Sequence, residues 1–511
     1  MRYSLLTPFL QLLLALFSPW EWFCSTRTFS SSLETTLTIA ALYYWPWQLT
    51  VGDTPWLKAK ARKSETASSA KTSESAFQTF KSANEYVPYW LPCLLQANNL
   101  RLRISLFLAI TACILRPTNL LIWLTVLTPT LTRLLFSTST SRVPFSDYLI
   151  LLREGILCAS VMLLISSASD RLYFGEWTFP PYQWLHFNLA QDLAVFYGRN
   201  DWHYYVSQGL PLLLTTYTPF ALVALWRSTT AGGLRFLFAT TVFTTLASLS
   251  LISHKEVRFV FPLLPLLHIL TAPTISSFFY TTTAATTRTR SGTLKTTTEV
   301  LMRHKLLLAL LLLLNLSIGA YTTLIHQRGA LSVTTFLRSE YERLALDPRG
   351  VPLSHPDANK FETAGWGRKN FKFDEDQVFA GFLMPCHSTP WRSRLFYPDM
   401  RTWALTCEPP LHLPAGSAAR EAYRDEADRF YDDPKGFLER EMNTKERPWP
   451  RYIVGFEGIE GWLREYYEGT MKGFKVRGKW RTANSHWHDD SRRRGDVVVW
   501  EFVDGSVVAE E

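Results

Sequence analysis

Cysteine is scarce in this chain: six residues in 511, with no C-x-x-C spacing. That leaves no thiolate zinc knuckle and no dithiol redox motif. No H-E-x-x-H occurs, so the paired histidines of a zinc protease are missing too. No glycine-rich phosphate loop is present, and a nucleotide-driven transporter finds no support. Charged residues make up only 19% of the chain, and Leu306–Ile325 holds none at all.

What the chain has instead is apolar runs. Leu306–Ile325 matches the roughly 20 residues that cross about 30 Å of hydrocarbon. Similar runs lie at Leu5–Phe23, Leu33–Leu49, Ile104–Leu115, Leu120–Phe136, Leu149–Ser167, Leu210–Trp226, Phe236–Ile252 and Phe259–Thr274. Any one of them could be the buried helix of a soluble core. Their crowding into residues 1–325 predicts an all-α polytopic membrane domain of about eight to nine spans. Leu5–Phe17 is read as a span and not as a signal peptide: only Arg2 precedes it and no small-residue cleavage site follows. The net charge of +9 falls largely in loops between spans, so it does not require nucleic acid.

Loop charge sets the expected topology. The linker 52–81 carries Lys58, Lys60, Arg62, Lys63, Lys71 and Lys81 and should be cytosolic, as should the loop flanked by Arg227 and Arg235. The Thr-rich loop Thr281–Lys305, with Arg288, Arg290, Lys295, Arg303 and Lys305, belongs with them. The loop 169–209 differs, holding Asp170, Glu176, Asp192 and Asp201 against Arg171 and Arg199. It should face the opposite, luminal side. Counting spans onward puts His254–Arg258 and the tail on that side as well. The chain therefore reads as a transmembrane domain, 1–326, followed by a luminal C-terminal domain, 327–511. The tail mixes strand-like runs, Arg451–Phe456 and Asp496–Val503, with the helical run Glu457–Tyr467, which suggests a small α/β fold.

Two segments carry chemistry. His254-Lys255-Glu256-Val257-Arg258 packs four ionisable side chains between two apolar runs. At mid-membrane its three fixed charges would cost on the order of 8–10 kcal/mol. The segment must therefore sit at an interface or line a wet cavity. It could be a plain polar loop; equally, its cations suit a lipid phosphate. The second segment holds Asp170, Tyr173, Trp202 and His203 among many aromatics. Those aromatics fit interfacial anchors more readily than a sugar pocket, though both remain open.

Cys386 and Cys407 lie in the tail. A luminal, oxidising setting would allow them a disulfide, and two free thiols are the alternative. Cys24, Cys93, Cys113 and Cys158 lie in or beside spans and read as packing residues. His486-Trp487-His488-Asp489-Asp490 is followed at once by Arg492–Arg494, and reads as a polar turn instead of a metal site. The sequon at Asn315 falls inside a span and is discounted.

HKEVRF followed by Phe261-Pro262-Leu263-Leu264-Pro265 resembles the H-K-E-x-R-F signature of dolichol-phosphate-mannose-dependent mannosyltransferases of glycosyltransferase family 22, which share the GT-C membrane fold. Three further segments look most like the GPI mannosyltransferase III branch: Cys24-Ser25-Thr26-Arg27-Thr28 with Glu34, the loop GEWTFPPYQWLHFN with YGRNDWHYYVSQGLP, and Met384-Pro385-Cys386-His387-Ser388-Thr389-Pro390. The tail from Trp449 to Phe502 looks like the fungal members. The resemblance implies an inverting α-1,2-mannosyltransferase of the endoplasmic-reticulum membrane. It would move mannose from dolichol-phosphate mannose to a GPI precursor glycolipid, adding the third mannose, with no metal and no cofactor. His254, Lys255 and Arg258 would hold the donor phosphate. Glu256, Asp170, Tyr173, Trp202 and His203 would support the pocket.

Relatives carry an acidic Pro-Asp-Glu motif in a first luminal loop, which this chain lacks before Cys24. The expectation is a truncated N-terminus, with the catalytic base unassigned. An N-glycan-assembly mannosyltransferase, or an inactive scaffold, are the alternatives.

Overall fold

The computed structural model describes residues 3–25, 27, 29–51, 97–136, 145–191, 193–288, 294–345, 378–398, 400–414, 416–442, 444, 447–470, 474–488 and 490–504. The linker 52–81, Cys93, Asp192, Arg290 and Asp489 lie outside them. The chain divides into two compact units, Met1–Gly319 and Ala320–Glu511.

Every apolar run of the first unit is helical. Its main helices are Tyr3–Leu16, Pro19–Ser25, Ser30–Tyr44, Trp47–Val51, Ala97–Leu115, Leu120–Phe136, Phe145–Phe174, Thr218–Ser228, Gly233–Ser250, Leu264–Phe279 and Lys305–Leu324. Threonine is a poor helix former alone, yet these helices carry many. Their hydroxyls donate back one turn, Thr38 to Glu34 O at 2.7 Å, Thr125 to Leu121 O at 2.8 Å and Thr241 to Leu237 O at 2.9 Å. The hydroxyl is satisfied locally, and the outside of the helix stays apolar.

Leu264–Phe279 runs through the core. Leu264, Leu266, Leu267, Leu270, Ala272 and Ile275 are all buried, against Ala221, Val242 and Leu14 among others. Phe145–Phe174 and Lys305–Leu324 instead expose large apolar side chains, Leu164 at 70% and Leu306 at 88%. Such faces suit hydrocarbon. Among the described residues, five helical stretches are long and apolar enough to cross a membrane. The Thr-rich segment, read from sequence as a loop, forms a hairpin: β1, Tyr280–Arg288, pairs antiparallel with β2, Leu294–Met302. Runs of β-branched threonine favour an extended chain once a turn lets two such runs pair.

The second unit is an α/β sheet. Its strands are β3 Phe379–Phe382, β4 Arg401–Ala404, β5 Tyr452–Phe456, β6 Phe474–Thr482 and β7 Val497–Asp504, in the order β4-β3-β5-β7-β6. The first three are parallel, and β5, β7 and β6 are antiparallel. Alternation along β7 feeds two cores: Val498, Trp500 and Phe502 pack on one side, Val497 and Val499 on the other. The helix Arg328–Ala345 covers the latter face with Val333, Leu337 and Tyr341. Glu426–Asp432 and Pro434–Arg440 cover the former through Phe430, Phe437 and Leu438. Gly381 has no room for a side chain: a Cβ would stand 2.4 Å from the Trp403 ring.

Candidate active site

The helix Gly233–Ser250 ends just before His254, and a 3-10 turn, Val257–Leu263, leads into Leu264–Phe279. Pro262 and Pro265 suit that entry, because the first turn of a helix needs no amide donor. The charged segment is thus held at the head of a buried helix, between rigid elements.

Its side chains divide into two groups. Glu256 is the hub of the first. His254 Nε2 meets Glu256 Oε1 at 3.0 Å, Arg258 Nη2 donates to the same oxygen at 2.8 Å, and Arg258 Nε contacts Oε2. Burial works against the Glu256 charge. The hydrogen bonds from His254 and Arg258, with their positive charges, outweigh it and hold the carboxyl at about 2. The hydrogen bond to Glu256 raises His254 above its ordinary range. The other ring nitrogen of His254 sits 2.9 Å from Gly198 O. Gly198 has φ +123, a conformation that favours glycine, and this turn aims its carbonyl at the histidine.

Lys255 forms the second group alone. It is 4% exposed, and its Nζ donates to Asn200 O at 2.9 Å. Its backbone amide donates to Asn200 Oδ1 at 3.2 Å, and the Asn200 amide in turn reaches Ser253 O at 3.1 Å. Lys255 therefore ties the segment to the loop at Asn200, while His254 and Arg258 share Glu256. Beside this junction Arg199, Asn200, Asp201, His203, Tyr204 and Gln208 line a polar cavity of about 150 Å³.

Of the supporting residues named from sequence, His203 lines that cavity, with Nδ1 3.0 Å from Ser207 Oγ. Trp202 is 76% exposed and packs edge-on against His203. Asp170 and Tyr173 are not loop residues. The helix from Phe145 runs on to Phe174 and stops at Gly175, φ +76. Asp170 accepts from Ser166 one turn back, and Tyr173 packs against Phe174. No hydrogen bond or ion pair joins either to the charged segment among the described residues. The segment between spans looked like one long loop because a few polar residues interrupt the apolar pattern a turn before the helix ends.

Sequence reasoning missed several buried groups. Glu34, 1% exposed, meets Arg116 Nε at 3.2 Å and accepts from Asn119 Nδ2 at 2.9 Å. Arg116 precedes Pro117 at the end of an apolar run, and a lone cation there was the available signal. Glu154, 0% exposed, accepts from Arg103 Nε at 2.6 Å across two helices. Tyr205 is fully buried.

In the second unit Cys386 and Cys407 are joined in a disulfide. The turn Met384–Thr389 and the segment that follows β4 and carries Cys407 line a cavity of about 370 Å³, with Trp391, Arg392 and Glu408. His387 in that turn has φ +58. Burial raises the carboxyl of nearby Asp425. Cys386, Cys407 and Asp425 are the one trio of possible metal ligands among the described residues, and its two sulfurs are already bonded to each other. His486 pairs with the Tyr321 hydroxyl at 2.8 Å, Trp487 stacks on the Tyr321 ring, and Asp490 binds Arg492.

Comparison with known proteins places this arrangement. Residues 2–396 match the model of the Alg9-like mannosyltransferase family. A protein of Gibberella zeae called GPI mannosyltransferase 3 is 44% identical over 96% of this chain and 75% of its own length. One of Aspergillus fumigatus with the same name is 38% identical over 96% of this chain and 61% of its own length. One of Candida albicans, again so named, is 30% identical over 96% of this chain and 75% of its own. No solved structure matches. A family match through the whole helical unit and into the sheet, on both sides of a charged segment poised at a helix head, is decisive: the chain belongs to the Alg9-like mannosyltransferase family, glycosyltransferase family 22.

Proposed function

We propose that the chain transfers mannose from dolichol-phosphate mannose to a GPI precursor carrying two mannoses, on the luminal face of the endoplasmic reticulum. The relatives' shared name supports the GPI acceptor. One observation carries the chemistry: His254 and Arg258 converge on a single carboxylate, Glu256, at the head of a buried helix.

In the reaction the acceptor hydroxyl oxygen bonds to C1 of the donor mannose. The bond from C1 to the phosphate oxygen breaks, and dolichyl phosphate leaves with the electron pair. The donor is β-linked, so inversion gives the α-1,2 product. Negative charge grows on the departing phosphate, and fixed cations facing it stabilise the transition state more than the ground state. Arg258 supplies planar N–H donors; His254, whose ring nitrogens face Glu256 and Gly198 O and whose affinity for a proton is raised by Glu256, adds positive charge beside them. Lys255 holds the wall of the site through Asn200. These cations take the part that a metal plays in other transferases, and no metal or cofactor is invoked.

Glu256 is not the general base for the acceptor proton, because two hydrogen-bonded cations hold it at about 2. The base lies outside this cluster and is left unassigned.

Mannosyl transfer from labelled dolichol-phosphate mannose in microsomes tests the assignment. Arg258→Ala should lower it about 10²–10³-fold, the usual loss on removing one preorganised donor. Unchanged transfer would refute the phosphate role. Cells depleted of the protein should accumulate a GPI precursor with two mannoses. A short dolichol-linked oligosaccharide in its place would assign the chain to N-glycan assembly.

A further inference from the structure

We infer that Arg116 is a second guanidinium of the donor-phosphate site, positioned by Glu34. The inference rests on the reading above and extends it to a part of the chain far away in sequence.

Arg116 ends the helix Ala97–Leu115 and stands before Pro117. A residue before proline is driven out of the helical conformation, and Arg116 is extended, with φ −146 and ψ 105. Its side chain therefore leaves the helix axis and turns into the unit, where it is 11% exposed. The Phe259 ring links it to the charged segment. The Arg116 guanidinium carbon lies 5.1 Å from the centroid of that ring, and His254 meets the same ring edge-on at 6.1 Å. Arg116 is also within electrostatic reach of Arg258 and Glu256.

A structural role alone accounts poorly for this placement. Guanidinium offers five N–H donors. The hydrogen bond found for Arg116 goes to Ser30 Oγ at 3.2 Å. Nε contacts Glu34 Oε2 without hydrogen-bond geometry, so both atoms are buried without a hydrogen-bond partner. Asn119 is a third such case: Nδ2 donates to Glu34 and to Thr38, at 2.9 and 2.8 Å, while its buried Oδ1 has no partner. Buried polar atoms left unmatched are costly, and those of Arg116 sit beside the cluster that faces the leaving group. Two arginines near one another also repel in the free protein. A dianionic phosphate between them removes that repulsion and takes up the spare donors.

Glu34 then has a defined part. It sets a counter-charge beside the buried arginine and fixes its direction, while Asn119, itself bonded to Thr38, holds Glu34. With Glu34 and Glu256 each paired, protonated His254 leaves the group with a net positive charge that suits an anion.

The test is inhibition by dolichyl phosphate, the product, measured with the whole protein in microsomes alongside KM for donor and acceptor. Arg116→Ala should raise the dolichyl phosphate Ki and donor KM about tenfold and leave acceptor KM unchanged. Arg116→Lys keeps charge but loses the planar fork, and should recover part of the affinity. Should Arg116→Ala fail to fold, Arg116→Lys and Arg116→Gln carry the test, with Gln expected to bind the product more weakly than Lys. Arg258→Ala is run beside them. If Arg258→Ala weakens product binding and the folded Arg116 variants do not, the inference fails and the site stands. If neither weakens it, the phosphate site itself is wrong.

Discussion

The two units handle charge in opposite ways. In the helical unit two carboxylates among the helices are enclosed, Glu34 at 1% exposed and Glu154 at 0%, each against an arginine. In the sheet unit ion pairs are many, and several stand in the open. Arg424–Asp432 and Arg440–Asp433 have both side chains more than half exposed. An exposed pair contributes about 0–1 kcal/mol, whereas removing one partner of an enclosed pair costs about 3–5 kcal/mol. Pairs that look alike in a distance table therefore differ in consequence. Where pairing is obligatory, a charge that lacks its full set of partners points to a ligand.

The sharpest way to break this contrast is Glu154→Ala. It takes the Glu154 carboxylate away from Arg103, which is only 15% exposed, in a helical environment. The expected loss is about 3–5 kcal/mol, read as a lowered midpoint of thermal unfolding in detergent. A midpoint within error of the parent would erase the difference between the units. Next is the covalent staple of the sheet unit. Replacing Cys386 and Cys407 together by serine opens a link across 21 positions and should cost about 2–4 kcal/mol. Limited proteolysis of the Met384–Thr389 turn would follow it.

A smaller effect is expected from pH. His254 is raised by its hydrogen bond to Glu256, so the His254–Glu256 interaction is complete below the ordinary histidine range. It fades as pH climbs through the raised value. Glu256, at about 2, stays ionised throughout. Donor KM should therefore rise several-fold from about pH 6.5 to pH 9, and His254→Gln should flatten that rise. A wild-type profile that His254→Gln leaves unaltered would remove His254 from the site. The smallest effect is Arg424→Ala, within about 0.5 kcal/mol in either direction. A large loss there would show that exposed pairs in the sheet unit matter after all.

Much of the helical unit was legible because apolar runs of span length admit few folds. The hairpin at Tyr280–Met302 was not: threonine runs read equally as linker, and only pairing decides. In the tail, the strands β5 and β7 showed in the apolar runs within Arg451–Phe456 and Asp496–Val503. β3 and β4 are four residues each, too short to announce themselves. For the site, the HKEVRF segment was visible as charge in an apolar setting. Asp170 and Tyr173 were read as loop residues and lie instead in the last turns of the helix Phe145–Phe174, before the stop at Gly175.

By itself, the sequence determined that the apolar runs within residues 1–325 form helices, and that His254, Glu256 and Arg258 stand as a charged segment between two of them. Hydrophobic length and charge spacing are local properties, readable along the chain. Tertiary structure alone decided that Lys255 turns to Asn200, and that Glu34, Arg116 and Asn119 stand behind the cluster. Those partners come from segments that are distant in sequence. What brings them together is the packing of helices and the need of each buried charge for a counterpart, and no local pattern in the chain records either.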